Sequence, residues 1–203
     1  MAEADRALFF WVNRGWHHPW LNDLFGAFTW LGVGWVQVLL ALLVWWAARR
    51  YGDRAWAVLY RSAFAPLLVA WLASGVLVQV LKRIWDRPRP SNLAGAIVAA
   101  DERIFTKSFP SGHACTTAAM AMVLTMVFWK RYPGVVLGAW VVTLLVMLSR
   151  VYRGVHYPSD VVAGALIGAM CGYLAVLWWR RSAALHRTKA AQTTGRGGKK
   201  SST

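Results

Sequence analysis

The stretch 161–179, VVAGALIGAMCGYLAVLWW, runs for nineteen residues without an Asp, Glu, Lys or Arg. A helix of about 20 apolar residues crosses a ~30 Å hydrocarbon core. This one ends on Trp178 and Trp179, residues that anchor helices at the membrane interface. Gly164, Gly168 and Gly172 recur every four residues along it, a small-residue stripe suited to close packing against another helix of the same chain. Four more runs free of Asp, Glu, Lys and Arg precede it: Phe25 to Trp46, Ser62 to Leu81, Ala114 to Trp129 and Pro133 to Ser149. With 58% hydrophobic residues and a mean hydropathy of +0.40, a soluble fold would have to expose much of that surface. The expected fold is all-α, a polytopic transmembrane bundle of five spans. Residues 1–181 form a single membrane-embedded domain, and residues 182–203 a basic disordered tail.

Residues 1–23 are expected to be an interfacial segment, with Asp5 to Leu21 as an aromatic-rich helix lying on the membrane. A sixth span would have to run through Arg14, His17 and His18. The segment opens with Glu3 and Asp5 and lacks a small-residue cleavage site, so it does not read as a signal peptide. His17 and His18 have no partner ligands in the pattern, and no metal is expected. Cys115 and Cys171 both fall within apolar runs and read as packing residues.

The net charge of +15 would suggest nucleic acid in a soluble protein. Here the cations sit in connections and in the tail, as orientation signals and contacts to anionic lipid do, and no nucleic-acid recognition motif is present. Arg49, Arg50, Arg54, Lys130, Arg131 and the tail cations Arg181, Arg187, Lys189, Arg196, Lys199 and Lys200 share one side of the expected topology. The other side also holds cations: Lys82, Arg83, Arg87, Arg89, Arg103, Lys107, Arg150 and Arg153. If several of these belong to a site, the first side is cytoplasmic and the second extracytoplasmic.

That second side gathers three polar clusters. Successive spans alternate in direction, so the second-to-third and fourth-to-fifth connections lie on one face. Lys82 to Arg89-Pro90 and Pro110-Ser111-Gly112-His113 flank the first of these, and Ser149-Arg150 to His156 and Asp160 the second. Charge at a bilayer edge is costly and marks function. Ser111-Gly112-His113 opens a helix, whose first N–H groups and dipole favour an anion. Lys82, Arg89 and Arg150 supply cations, and the arginine fork matches two phosphate oxygens. His156 and Asp160 are four apart at a helix start, so they share a face. The carboxylate can then fix the imidazole tautomer and leave the other nitrogen as a nucleophile. His113, from another helix, can protonate a leaving oxygen. The stretch Ser91 to Phe109 reads either as a lid or as a plain connector.

In these motifs the chain resembles the type 2 phosphatidic acid phosphatase family, integral-membrane lipid phosphatases that share their site with vanadium haloperoxidases. The family pattern is Lys, six residues, Arg-Pro; Pro-Ser-Gly-His; and Ser-Arg, five residues, His, three residues, Asp. All three parts are complete here. The resemblance implies that His156 attacks phosphorus to form a phosphohistidine, oriented by Asp160, and that His113 protonates the leaving group and then activates water. It implies that Lys82, Arg89, Ser111, Gly112 and Arg150 bind the phosphoryl oxygens, with no metal or other cofactor. The expected substrate is a lipid phosphate or pyrophosphate in a bacterial cytoplasmic membrane, foremost undecaprenyl pyrophosphate. Phosphatidylglycerol phosphate, phosphatidic acid and a lipid A phosphate are alternatives. An anionic-lipid transporter would use the same charges but leave the two histidines and Asp160 unexplained. A haloperoxidase would share the site but is typically soluble and larger.

Overall fold

The computed structural model describes residues 3–52, 54–102 and 107–197, with side chains through Ala184. Arg103, Lys199 and Lys200 of the expected charge pattern lie outside these residues. The described elements are seven helices and one 3₁₀ turn, Pro90–Asn92. The helices are α1 (Glu3–Asn13), α2 (Pro19–Leu31), α3 (Gly34–Arg50), α4 (Ala55–Ile84), α5 (Gly112–Phe128), α6 (Pro133–Tyr152) and α7 (Pro158–Gly197). Three of them are long and apolar enough to cross a membrane, in α4, α6 and α7, and a fourth span results if the bent pair α2–α3 counts as one. The α5 helix is apolar but only 17 residues long.

The α5 helix is the centre of the bundle, with α4, α6 and α7 packed around it. Its residues Ala114, Cys115, Ala118, Ala119, Ala121 and Val123 are buried almost completely. A helix that is apolar all round needs partners on every side, and the glycine stripe of α7 supplies the closest of them. A Cβ on Gly164, Gly168 or Gly172 would sit 2.5, 1.9 or 2.3 Å from the carbonyl oxygens of Ser111, Cys115 and Ala119. Only glycine lets the two backbones approach so far, and the stripe therefore serves packing within the chain. The outer faces carry Leu39, Leu43, Leu72, Leu137, Leu166 and Leu174, all more than two-fifths exposed. Apolar groups outside and polar groups inside suit a lipid solvent.

Three expectations need correction. The segment Asp5 to Leu21 is not one helix. The α1 helix ends at Asn13 in a turn over residues 14–16, and Pro19 then occupies the first turn of α2. The α1 helix is anchored to the rest of the chain. Phe9 is fully buried, and Asn13 Nδ2 donates to the carbonyls of Ile97 and Tyr152, each at 2.7 Å, while Ile97 N–H donates to Asn13 Oδ1 at 2.8 Å. The run Phe25 to Trp46 is likewise not a straight span. It bends by 66° between α2 and α3 at Gly32-Val33-Gly34. At the far end α7 continues beyond Arg181 to Gly197 through residues with strong helix propensity, among them Ala183, Ala184, Ala190 and Ala191, where a disordered tail was expected.

Candidate active site

The close contact of α5 with α7 aligns the start of one helix with the start of the other. Ser111 N–H donates to the carbonyl of Asp160 at 3.1 Å, tying the two helix N-termini together. Gly154, at φ +81°, turns the chain out of α6, and residues 153–157 deliver His156 to the same point. His156 is 2% exposed and Asp160 fully buried. Nδ1 of His156 lies 3.6 Å from Asp160 Oδ2, just beyond hydrogen-bond reach. Nε2 lies 3.4 Å from Arg89 Nη1, which also donates to the Val155 carbonyl at 2.9 Å. A guanidinium can only donate. Nε2 is thus the acceptor, and the imidazole proton belongs on Nδ1, facing the carboxylate. Burial, opposed by Asp160 and reinforced by Arg89 and Arg150, holds the His156 pKa down to about 3. The ring is neutral, with its Nε2 lone pair available, throughout the physiological range.

Asp160 is held by more groups than the sequence indicated. Oδ2 accepts the Ser108 hydroxyl and, at 2.9 Å, the Tyr157 N–H, while Oδ1 accepts a bond from Arg87. The cations gather on the other side of His156. Lys82 is buried, with Nζ donating to the Lys107 carbonyl at 2.6 Å. Arg150 is gripped through both terminal nitrogens by Glu102, at 2.8 and 2.9 Å, and Arg153 Nε reaches the same carboxylate at 2.6 Å. Burial alone would raise the Glu102 pKa, but the two guanidiniums more than reverse this and hold its carboxyl below the ordinary range. Removing Glu102 would leave the buried Arg150 without its counter-charge, while Arg153 would keep Asp101, a loss of about 3–5 kcal/mol. The described part of the 91–109 stretch is thereby pinned to the helix ends by Asn13, Arg150 and Arg153.

Three buried polar atoms at this point have no hydrogen-bond partner: Ser111 Oγ, Arg150 Nε and His156 Nδ1. Buried polar groups are nearly always paired, so such orphans call for a ligand or a function. A Cβ on Gly112 would meet only Val78, at an ordinary 3.6 Å, which leaves the helix start open to a group approaching its N–H donors.

His113 is half-buried on the first turn of α5. A Cβ on Gly32 would lie 2.7 Å from His113 Cδ2 and 2.8 Å from Val146 Cγ1, so the chain turns where only glycine fits beside the imidazole. Gly32→Ala is expected to push His113 aside and lower kcat by about 10- to 100-fold, the scale of a misplacement of about 1 Å. Phosphate release measured at saturating substrate checks this, and an undiminished kcat would show that the contact does not matter.

All eight residues singled out from the sequence thus fall within one region where α4, α5, α6 and α7 end or begin. Arg87, Glu102, Ser108 and Thr29, whose Oγ1 accepts from Arg150 at 3.2 Å, were not singled out. Arg87 sits inside the first motif and was counted only among the cations of its side of the topology; the others carry no local signal.

Comparison with known proteins gives a consistent family. The PAP2 superfamily pattern matches residues 63–184. The undecaprenyl-diphosphatase of Sulfolobus acidocaldarius is 31% identical over 144 residues, 70% of this chain and 62% of that protein, so less than two thirds of its length is spanned. Phosphatidylglycerophosphatase B of Bacillus subtilis is 32% identical over 165 residues, 77% of this chain and 74% of that protein. The crystal structure of Aquifex aeolicus LpxE has a TM-score of 0.70 at 29% identity, covering 84% of this chain and 93% of that chain.

Proposed function

The chain belongs to the PAP2 superfamily, and on that premise we propose that it is a metal-independent lipid phosphatase working through a phosphohistidine at His156. The observation that carries this reading is the pair of buried, orphaned donors Ser111 Oγ and Arg150 Nε, set among His156 and the cations Lys82, Arg89 and Arg150. A phosphoryl group there receives the unpaired donors and three positive charges, which stabilise the charge on its oxygens as the transition state forms. His156 Nε2 attacks phosphorus, the P–N bond forms, and the bond to the lipid oxygen breaks. His113 gives its proton to the departing oxygen. The phosphoimidazole is cationic because Nδ1 keeps its proton, and Asp160 faces that charge. Water then attacks phosphorus, His113 takes a proton from it, and phosphate leaves with His156 restored.

The lipid has a route to this point. A cavity of about 550 Å³ between the start of α3, α4 and α5 is walled by Trp71, Leu72, Val76 and Val80 and reaches Gly112 and His113. Leu72 and Val76 are more than half exposed on the bundle's outer face, so the cavity opens sideways toward lipid and ends at the proposed leaving-group acid. We read α5 as a span as well, because α4, α6 and α7 enclose it, giving five spans with α2–α3 as a bent first. The basic residues Arg49, Arg50, Arg54, Lys130 and Arg131 lie at the ends away from the site, which favours an extracytoplasmic site in a cytoplasmic membrane.

The substrate proposed first is undecaprenyl pyrophosphate. A panel of purified undecaprenyl pyrophosphate, phosphatidylglycerol phosphate, phosphatidic acid and lipid A, assayed for phosphate release with excess EDTA, tests both parts. The highest kcat/KM should fall on undecaprenyl pyrophosphate, with no loss to chelation. A preference for another lipid would reassign the substrate, and loss of activity in EDTA would overturn the metal-free mechanism. A Cβ on Gly75 meets nothing within 4 Å in the wall of the lateral cavity. Gly75→Trp should therefore raise KM for a long-chain lipid by about tenfold or more and spare a short-chain, water-soluble phosphate. Equal effects on both would place the lipid elsewhere.

A further inference from the structure

Arg87 joins the catalytic carboxylate to the N-terminal helix through its side chain. Its Nη1 donates to Asp160 Oδ1 and, at 2.7 Å, to the Ser159 hydroxyl, and its Nη2 donates to Asp5 Oδ2. Asp5 lies outside the stretch that matches the family pattern, residues 63–184. It nevertheless occupies the N-terminus of α7, accepting the Ser159 N–H on Oδ1 at 3.0 Å and the Ser159 hydroxyl on Oδ2 at 2.6 Å. That N–H is one of those a helix leaves unpaired, so α1 supplies from a distance the cap that α7 lacks. The assembly is closed by rings: the Arg87 guanidinium lies 4.4 Å over Tyr157, and Phe9 of α1 packs edge-on against the same ring at 5.8 Å. Arg87 and Asp5 are 19% and 11% exposed, buried enough for their charges to be weakly screened.

We propose that Asp5 is a positioning residue of the active site, acting through Arg87 on Asp160. This inference rests on the phosphohistidine reading above. One guanidinium is shared between two carboxylates. With Asp5 in place, part of its charge is neutralised from the α1 side, and Asp160 keeps more of its own negative charge for His156. Asp160 also answers to Ser108 and the Tyr157 N–H, and His156 also faces Arg89, Arg150 and His113, but none of these groups bonds to Asp5. When phosphorus joins Nε2 the imidazole becomes cationic, and the strength of Asp160's pull decides how well that charge is held. A helix outside the matched core thereby sets the electrostatics of the nucleophile.

The sign of the effect distinguishes this role from simple docking of α1. Asp5→Asn removes a negative charge but keeps the shape. Arg87 then weighs wholly on Asp160, protonation of His156 becomes harder, and the acid limb of kcat/KM moves to lower pH. At the same time kcat falls because the phosphoimidazole is less well held, while KM stays unchanged. The expected size is about half a pH unit to one unit in the limb and roughly threefold to tenfold in kcat. Asp5→Glu should restore both in part. Arg87→Met removes the positive charge and should move the limb the other way, to higher pH. In that background Asp5→Asn should have no further effect on the limb, because the link is gone. Where Arg87→Met does not fold, Arg87→Lys, whose single ammonium cannot bridge both carboxylates, serves the same cycle with a reduced effect of Asp5→Asn.

The experiment is the pH profile of kcat and KM for the full-length protein in detergent micelles, using whichever lipid of the panel it hydrolyses best. A downward shift in Asp5→Asn that vanishes without Arg87 establishes the relay. An unchanged limb, or a shift that persists in the Arg87 variants, overturns it and leaves Asp5 as a cap of α7. The underlying phosphohistidine reading fails separately, if a His156→Ala protein keeps its activity.

Discussion

His156→Ala is expected to slow phosphate release from lipid by about 10⁴- to 10⁶-fold, the range found when a nucleophile is removed from a catalytic unit. The residue is buried, neutral and oriented, with Nδ1 facing Asp160 and Nε2 facing Arg89. No other described side chain at the site offers a nucleophile with these properties. Lys82 donates to a carbonyl, and His113 packs beside Gly32. The residual rate should come from the phosphate cradle alone, because Ser111, Arg89 and Arg150 would still bind and polarise the substrate. KM is therefore expected to change far less than kcat. A kinetic assay in mixed micelles reads both, and a loss confined to KM would assign His156 to binding and leave the nucleophile unidentified.

Asp160→Asn is the second large effect, about 10³- to 10⁴-fold in kcat, as expected when the group fixing a tautomer can no longer do so. Asp160 accepts from the Ser108 hydroxyl, the Tyr157 N–H and Arg87. An amide has one acceptor oxygen for these donors, and its NH₂ must point either at Arg87 or toward His156. In the first case donor meets donor and Arg87 loses its buried partner. In the second the imidazole proton is driven to Nε2, which abolishes the lone pair that attacks. Either arrangement also removes the negative charge facing the phosphoimidazole. Single-turnover kinetics would show a slowed first step, whereas a variant slowed only in the release of phosphate would mean that Asp160 acts on hydrolysis instead.

Much of the architecture could be read from the chain because membrane burial writes simple patterns. Uncharged runs gave the apolar helices, and their alternating direction was enough to bring the residues of all three clusters onto one face. The four-residue glycine period of α7 pointed to close packing, and the Ser111 and Cys115 carbonyls now lie where a Cβ would be. The bend at Gly32-Val33-Gly34 was not legible. Glycine is common in membrane helices, and what requires glycine at position 32 is a contact with His113, 81 positions along the chain. Pro19 did carry a local signal for the start of α2, but the aromatic content of the segment favoured a single helix.

The partners that organise the site were hidden for a different reason. Glu102 reaches Arg150 across 48 positions and Asp5 reaches Arg87 across 82. Such pairs are created by the fold, and no spacing rule for helices or turns connects them. A carboxylate in a polar loop looks the same in sequence whether it is solvated or buried against two guanidiniums. The histidine–aspartate pair, by contrast, was close in sequence, but His156 lies two residues before α7 begins at Pro158, so it is the 153–157 segment rather than the helix repeat that brings its Nδ1 to 3.6 Å from Asp160.

The central claim is that phosphorus is bonded transiently to His156. Brief exposure of the purified protein to lipid labelled in the terminal phosphate, followed by quenching in alkali, where phosphohistidine survives, and peptide mapping, tests it most directly. The predicted result is label on the peptide containing His156, raised in a His113→Ala protein that is slow to activate water and absent from His156→Ala. Label of the same amount in His156→Ala, or on a peptide without His156, would contradict the account.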